Sequence, residues 1–356
     1  MTPKFHALQI DDVRQETEDT VSVAFSVPND LTTAYQYNAG QYLTLKATIN
    51  GEEVRRSYSI CTAPHENELR VAIKRVENGL FSTWATQELK AGQMMDVMTP
   101  MGNFQLTPAA SSTKNYVLFA AGSGVTPIIS IAKTILTQEP NSRVTMVYGN
   151  KGFASIIFRE EIEALKNTYM TRFRLVHILS RESLGNKLQK GRIDEDKVSA
   201  VYKAFLQNES IDGVYICGPE SMIHAVKNGL SSHGVAENNI HFELFGTNQA
   251  AIKKEEKKDD SKVVLAKVTI IMDDDHFDFD LSSNDTSILE AGHQAGADLP
   301  FACKGGVCCT CKAKILEGSA VMDVNYALEK DEVEAGYILT CQAHPTSEKL
   351  VVSFDD

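Results

Sequence analysis

Four of the seven cysteines in the chain fall within the nine residues "CKGGVCCTC", at positions 303–311. Cysteine thiolates ligate both zinc and iron–sulfur clusters, and each kind of site requires its own spacing. The spacing here is C-x4-C-x2-C, and Cys341 follows after 29 more residues. A zinc ribbon needs two C-x2-C pairs, whereas only one such pair is present. The pattern therefore favours an iron–sulfur cluster, with a structural zinc ion as the alternative.

The same spacing identifies a family. Residues 263–356 resemble a plant-type ferredoxin domain, which has a β-grasp fold and a [2Fe–2S] cluster near its surface. The ligands that this resemblance implies are Cys303, Cys308, Cys311 and Cys341. Gly305 and Gly306 allow the unusual dihedral angles that a loop around a cluster needs. Cys309 does not fit the ligand spacing and is predicted to keep a free thiol.

The stretch "RRSYS", residues 55–59, resembles the R-x-Y-S flavin motif of the ferredoxin-NADP reductase superfamily. The resemblance implies that Arg56 pairs with a flavin phosphate and that Tyr58 packs on the isoalloxazine ring. It also implies that Ser59 hydrogen-bonds near flavin N5. Guanidinium groups fork onto phosphate oxygens and aromatic rings cover flavin faces, so the residue types suit these roles.

A second flavin segment of the same superfamily is similar to "VAIKRVENGLFSTW", residues 71–84. By that similarity Gly79 and Ser82 help to hold the flavin phosphates. The run "RSYSICTAP" is more similar to relatives that use FAD than to those that use FMN, so FAD is expected and FMN is the alternative. Cys61, within that run, is expected to pack beside the flavin.

The glycine loop "AAGSGVTP", residues 120–127, follows an apolar strand and precedes a helix that is expected from Pro127. Gly122 and Gly124 let the backbone approach a phosphate, and the helix N-terminus favours its charge. The loop resembles the nicotinamide-nucleotide loop of the same superfamily, and the resemblance places Thr126 near the nicotinamide.

Two later motifs complete the nicotinamide signature. "CGPESM", which begins at Cys217, resembles the C-G-P motif of the superfamily. The resemblance places Cys217 beside nicotinamide C4 and flavin N5 and makes Gly218 and Pro219 part of the nucleotide site; a buried cysteine at a strand end is the alternative. "FELF" resembles the end of the reductase module, with Glu243 close to the contact between flavin and nicotinamide.

The choice of nucleotide depends on the end of the strand "LVHIL", where Ser180 and Arg181 stand. In NADP-using relatives a serine and an arginine at this point hold the 2′-phosphate, whereas NAD users more often place an acid near the ribose. NADPH is therefore expected. The adjacent Glu182 argues in the other direction and keeps NADH as the alternative.

The elements that position these motifs fall into segments that differ in their pattern of apolar, polar and charged residues. Residues 1–106 alternate in strand fashion and predict an antiparallel β-barrel that binds FAD. Residues 107–247 alternate short buried strands with helices, which predicts a parallel-sheet α/β domain that binds NADP at the carboxyl edge of its strands. The charged stretch 248–262 is predicted to be a linker or a short exposed helix, and residues 263–356 form the ferredoxin domain.

Composition limits the classes of function. The net charge is −12, and residues 263–356 alone carry 17 acidic and 6 basic side chains. This sign disfavours a nucleic-acid partner and suits either a basic docking partner or solubility alone. No apolar run is long enough to span a membrane, the N-terminal stretch lacks a signal peptide's apolar core, and seven cysteines make a disulfide framework improbable. A cytoplasmic protein is expected.

The order of segments is that of oxygenase reductases, and the resemblance covers nearly the whole chain. "CKGGVCCTC", "AAGSGVTPIISI" and "LSRE" most resemble the reductase subunits of phenylacetyl-CoA epoxidases, which serve a di-iron oxygenase. The resemblance implies electron transfer from NADPH to FAD, then to the cluster and then to the oxygenase subunits. The alternatives are a reductase for a Rieske, alkane or other aromatic oxygenase, or a redox-sensing module without enzymatic activity.

Overall fold

The computed structural model describes residues 4–246 and 263–355. The predicted linker, 248–262, lies outside these described residues. Within the described ranges, no helix has both the length and the apolar character that a membrane span requires.

The first segment is an antiparallel sheet of six strands. Its strands are β1 (Phe5–Thr17), β2 (Thr20–Ser26), β3 (Tyr42–Ile49), β4 (Glu52–Ser59), β5 (Leu69–Lys74) and β6 (Met94–Met98). The order is β4-β3-β6-β1-β2-β5, and a bridge between Ile60 and Val71 joins the two outer strands, so the sheet closes as the predicted barrel. Alternate side chains fill its core, and helix α1 (Leu80–Glu88) packs against it through Phe81 and Ala85.

The middle segment is a parallel sheet of five strands. Its strands are β7 (Asn115–Ala121), β8 (Arg143–Asn150), β9 (Phe173–Leu179), β10 (Gly213–Cys217) and β11 (Ile240–Glu243). Its helices are α2 (Val125–Gln138), α3 (Arg159–Thr168), α4 (Glu195–Val201) and α5 (Glu220–Ser231). The order β11-β10-β7-β8-β9 brings the carboxyl ends of β10, β7 and β8 together at one edge. The near-continuous apolar runs are buried on both faces, as parallel sheets require.

Helix α2 explains how the first two segments are fixed together. It starts at Val125, two residues before the expected Pro127, because the glycine loop already turns into helical conformation. Nearly every residue of α2 is buried, which a helix covered on one side only cannot achieve. On its second side, Ser130 Oγ donates to the Thr62 carbonyl of the barrel at 2.6 Å.

The last segment is a five-stranded mixed sheet with a small two-stranded antiparallel sheet beside it. The large sheet contains β12 (Leu265–Met272), β13 (Asp275–Ser282), β14 (Lys312–Glu317), β16 (Tyr337–Leu339) and β18 (Lys349–Ser353). The small sheet contains β15 (Ala320–Met322) and β17 (Ala343–Pro345), and the helices are α6 (Ile288–Gln294) and α7 (Lys330–Glu334). In the large sheet β12 and β18 run parallel, and α6 closes the core over it. The three predicted folds are confirmed.

Candidate functional site

The barrel and the α/β domain meet at Ser59 and Glu243. Ser59 ends β4, Glu243 ends β11, and the Ser59 hydroxyl donates to Glu243 Oε2 at 3.0 Å. Burial of the carboxyl group raises the pKa of Glu243 to about 8. The site therefore holds a carboxyl group that gains or loses a proton near neutral pH and that accepts a hydrogen bond from the Ser59 hydroxyl.

Cys217 lies at the same point, at the end of the neighbouring strand β10. It stands opposite Glu243 in the parallel register, and it is fully buried. Burial raises the pKa of its thiol well above the ordinary value, so the sulfur stays protonated and unreactive. The structure thus brings together all three side chains that the sequence assigned to the flavin–nicotinamide contact.

The predicted flavin residues Arg56 and Tyr58 precede Ser59 on β4. Arg56 is exposed, and its guanidinium donates to the Arg55 carbonyl at 2.7 Å; no carboxylate of residues 4–246 or 263–355 forms an ion pair with it. Tyr58 is half-buried, with its ring centroid 5.8 Å from that of Phe81 on α1. An exposed guanidinium and an aromatic face at the barrel edge fit a flavin phosphate and ring.

Gly79 and Ser82 form the turn that starts α1. Gly79 is the N-cap residue, and Ser82 Oγ accepts from the Val76 N–H at 3.0 Å and donates to the Gly79 carbonyl at 3.3 Å. A Cβ on Gly79 would lie 2.6 Å from that hydroxyl oxygen. Ser82 therefore shapes the turn, and the backbone at the start of α1 is what a phosphate can approach.

The glycine loop approaches the backbone of the C-G-P motif very closely. A Cβ on Gly124 would lie 2.1 Å from the Cys217 carbonyl oxygen, so only glycine fits there. Gly122 has φ +55° and would meet nothing within 4 Å, because it faces an open cavity. Thr126 is buried and its hydroxyl donates to the Ser123 carbonyl at 3.0 Å. Gly218 and Pro219 line the same cavity.

That cavity has a volume of about 520 Å³ and follows the carboxyl edge of the parallel sheet. Ser180 lines its far end, whereas Arg181 is exposed and does not line it. The cations at that end are Lys151 and Arg192, which the sequence motifs did not indicate. The Gly191 N–H donates to the Leu179 carbonyl at 2.9 Å, and this contact brings the "GRI" segment back to the strand end. The sequence contains this segment, but it gives no sign that the segment returns to the end of β9.

Glu182 does not face the cavity in the way that a ribose-binding acid would. Its Oε2 accepts from the Phe153 N–H at 3.0 Å, and its Oε1 is so close to Gly152 that a Cβ there would lie 2.3 Å away. The carboxylate is therefore committed to a neighbouring loop. Glu182 thus bonds to the Phe153 backbone, whereas Lys151 and Arg192 line the far end of the cavity.

The cysteine loop gathers the four predicted ligands. The Cys308 thiol donates to Cys303 Sγ at 3.1 Å, and the Gly305 N–H donates to the same sulfur at 3.3 Å. Hydrogen bonds from the Cys308 and Cys341 thiols lower the pKa of Cys303, and Cys341 also contacts Cys311. No group of three or more Cys, His, Asp or Glu in the described ranges is arranged around one metal ion. The four thiols form one connected group, and four cysteine thiolates are the ligand set of a [2Fe–2S] cluster.

Cys309 points elsewhere. Its thiol donates to the Ala327 carbonyl at 3.4 Å, and burial raises the pKa of that thiol to about 12. Cys61 likewise donates into its own barrel, to the Arg70 carbonyl at 3.3 Å. Neither residue has a free, reactive thiolate.

Comparison with known families matches each of the three folds. Residues 7–106 match the oxidoreductase FAD-binding domain, residues 118–228 the oxidoreductase NAD-binding domain and residues 270–346 the 2Fe-2S iron–sulfur cluster binding domain. The class is thus a flavin- and iron–sulfur-dependent oxidoreductase with three cofactor-binding domains. The chain belongs to the family of oxygenase reductase components that have this domain order.

Two relatives and one structure illustrate the family. The chain is 41% identical to a subunit of the 1,2-phenylacetyl-CoA epoxidase of Escherichia coli, over 99% of this chain and 98% of the relative. It is 33% identical to the 3-ketosteroid-9-alpha-monooxygenase ferredoxin reductase component of Rhodococcus rhodochrous, over 98% and 96%. Phthalate dioxygenase reductase has the same fold, with a TM-score of 0.59, 24% identity and 98% of both chains covered.

Proposed function

We propose that this reductase takes hydride from NADPH and delivers single electrons to a di-iron oxygenase that epoxidises phenylacetyl-CoA. The observation that carries the choice of partner is the 41% identity, across 99% of the chain, to a subunit of the 1,2-phenylacetyl-CoA epoxidase. We place this reaction in the cytoplasm, where thiols stay reduced.

When bound, FAD accepts a hydride and releases single electrons, and a [2Fe–2S] cluster carries one electron at a time, which is the conversion that such a partner requires. In this proposal Arg56 and the Gly79–Ser82 turn hold the flavin phosphates, and Tyr58 covers the ring. Burial keeps a proton on the Glu243 carboxyl group, which accepts a hydrogen bond from the Ser59 hydroxyl at Oε2 and lies beside the buried Cys217.

For the nucleotide, Gly122, Gly124 and the C-G-P motif cradle the phosphates at the start of α2, and Thr126 supports that loop. Ser180 lies at the adenosine end with Lys151 and Arg192, which supports NADPH because two cations suit the extra 2′-phosphate. Arg181 joins this group only if its exposed side chain turns towards the cavity. The proposed cluster ligands are Cys303, Cys308, Cys311 and Cys341.

The test is reconstitution with purified oxygenase. The reductase, NADPH and the oxygenase subunits of the E. coli phenylacetyl-CoA epoxidase are combined with phenylacetyl-CoA, and the ring epoxide is measured by mass spectrometry. We expect turnover that depends on both NADPH and the reductase. If the protein takes up electrons from NADPH but no epoxide forms, it is still a reductase, and the proposed oxygenase partner is wrong.

A second candidate partner is an oxygenase that acts on steroids, because the chain is 33% identical to the ferredoxin reductase component of a 3-ketosteroid-9-alpha-monooxygenase. The same reconstitution with the oxygenase of that system, and with its own steroid substrate, separates the two. A faster rate with the steroid oxygenase would reverse our order of preference.

A further inference from the structure

Tyr42 connects the flavin side of the molecule to the cysteine loop. It is the first residue of β3 and only 5% exposed, and it stands opposite Ser59 in the antiparallel register of β3 and β4. Its backbone exchanges hydrogen bonds of 2.8 and 3.0 Å with Met101. Tyr42 is therefore held rigidly, one strand away from the hydroxyl that binds Glu243.

The phenol group of Tyr42 reaches across the domain boundary. Its oxygen lies 3.1 Å from Thr310 Oγ1 and accepts the Cys309 N–H at 3.2 Å. Both partners belong to the loop that carries three of the proposed cluster ligands. A tyrosine phenol is neutral at ordinary pH, so the Tyr42 hydroxyl can accept and donate at once.

The ring of Tyr42 adds apolar packing to these hydrogen bonds. Tyr42, Ala302 and Cys308 form a small buried cluster, against which Met101 and Cys303 pack. One barrel side chain thus contacts both the backbone and the thiols of the cysteine loop.

Polar contacts elsewhere between these two domains are more exposed to solvent. Arg55 pairs with Asp298 at 3.2 Å; the Arg55 side chain is only 6% exposed, but the Asp298 side chain is 85% exposed. Lys4 and Asp273 are 61% and 49% exposed, and Asn103 donates to Glu332 at the surface. Exposed pairs contribute little and weaken with salt. The buried hydrogen bonds of Tyr42 fix the position of the loop more strongly than these do.

We propose that Tyr42 is a positioning residue for electron transfer, which holds the cysteine loop at a fixed separation from the flavin site through its contacts with Thr310 and the Cys309 N–H. This inference rests on the proposed function, because it needs a cluster on the cysteine loop. Each hydride brings two electrons, and the cluster accepts one at a time. Each NADPH therefore requires two transfers, and the rate of both depends on the position of the cysteine loop. Electron transfer slows steeply as two buried centres move apart.

The test is Tyr42→Phe, which keeps the ring and removes both hydrogen bonds. After anaerobic rapid mixing with NADPH, flavin bleaching and cluster reduction are followed separately by absorbance and by freeze-quench electron paramagnetic resonance. We expect cluster reduction to slow about three- to tenfold while flavin bleaching and the ferricyanide rate stay as in the wild type. We also expect a shifted cluster midpoint potential, because the Cys309 N–H loses its acceptor.

Tyr116→Phe is the matched control, because it also removes a buried phenol hydrogen bond, the 3.3 Å contact with Glu139, in the α/β domain. It should change neither rate nor potential. Thr310→Val is the second variant and removes the partner from the ferredoxin side; it should slow cluster reduction in the same way.

Two results would overturn the inference. In the first, Tyr42→Phe keeps a full cluster signal with the wild-type transfer rate and potential. In the second, it loses the cluster while Thr310→Val transfers electrons normally. Failure of the proposed function is distinguishable, because the wild-type protein itself would then lack the flavin or the cluster signal.

Discussion

At the scale of single residues, Glu243 is the group whose protonation the fold controls most clearly. Its pKa is raised from 4.5 to about 8 by burial, so at neutral pH the folded chain keeps a proton that the unfolded chain releases. The stabilising contribution of this proton is fully present below pH 4.5 and is lost as pH rises through about 8.

We therefore expect the unfolding midpoint of the protein to fall as pH rises from about 5 to 8. Glu243→Gln should reduce that fall, because a neutral amide takes the place of the carboxyl group and has no proton to lose. Chemical denaturation across this pH range measures the difference. An equally steep fall in Glu243→Gln would show that the carboxyl is ionised in the folded protein.

Arg192 and Arg181 offer a direct comparison of the structure with the sequence-based expectation. The sequence favoured Arg181 as the 2′-phosphate ligand, whereas the cavity is lined by Arg192. We expect Arg192→Ala to weaken binding of 2′,5′-ADP about tenfold or more, because a charge-assisted hydrogen bond is lost. Binding of 5′-AMP should change little, and calorimetry measures both.

Arg181→Ala is the matched control for this experiment, since it removes the same kind of charge from an exposed position. A larger selective loss in Arg181→Ala would restore the sequence-based assignment. If neither variant distinguishes 2′,5′-ADP from 5′-AMP, the basis for proposing NADPH is lost.

At the scale of elements, the nucleotide site depends on the contact between the loop before α2 and the end of β10. Gly124→Ala would place a methyl group 2.1 Å from the Cys217 carbonyl oxygen, and this contact can be relieved only if the start of α2 or the end of β10 moves. We expect a loss of about 1–3 kcal/mol in stability and weaker binding of nicotinamide nucleotide. Thermal unfolding and nucleotide titration measure these changes.

Ser123→Ala, one residue earlier, is the control for this loop. It also makes a small change in the lining of the cavity but adds no atom near β10. If Gly124→Ala were as stable and bound nucleotide as well as Ser123→Ala, the close approach of loop and strand would not be what forms the site.

Most strands and helices could be predicted from the sequence, because apolar residues recur with a different period in each kind of element. The alternation in "TVSVAFSV" and the apolar run "NYVLFAAG" predict barrel and parallel strands, and both are confirmed. The motif residues that end strands also come together, because parallel strand ends meet at one edge. The positions of Arg192 and Tyr42 in the site could not be predicted in this way. Arg192 depends on the return of a long loop, and Tyr42 depends on how two domains pack.

At the scale of the whole molecule, three domains meet around a cavity of about 200 Å³ that Tyr42, Glu243 and Cys308 line together. The hydrogen-bonded Ser59 and Glu243, the start of β3 and the cysteine loop are thus in one place. The acidic side chains of residues 263–356 lie on the domain that the proposal makes the electron exit, which suits a basic docking surface on the oxygenase.

The central claim is that electrons from NADPH reach a cluster held by Cys303, Cys308, Cys311 and Cys341. The most direct test is the electron paramagnetic resonance spectrum of anaerobic protein reduced with NADPH, for the wild type, Cys308→Ser and Cys309→Ser. We predict a [2Fe–2S] signal in the wild type and in Cys309→Ser, because the Cys309 thiol bonds to the Ala327 carbonyl instead. Cys308→Ser should lose the signal yet still reduce ferricyanide. A signal that survives in Cys308→Ser but disappears in Cys309→Ser would contradict the account.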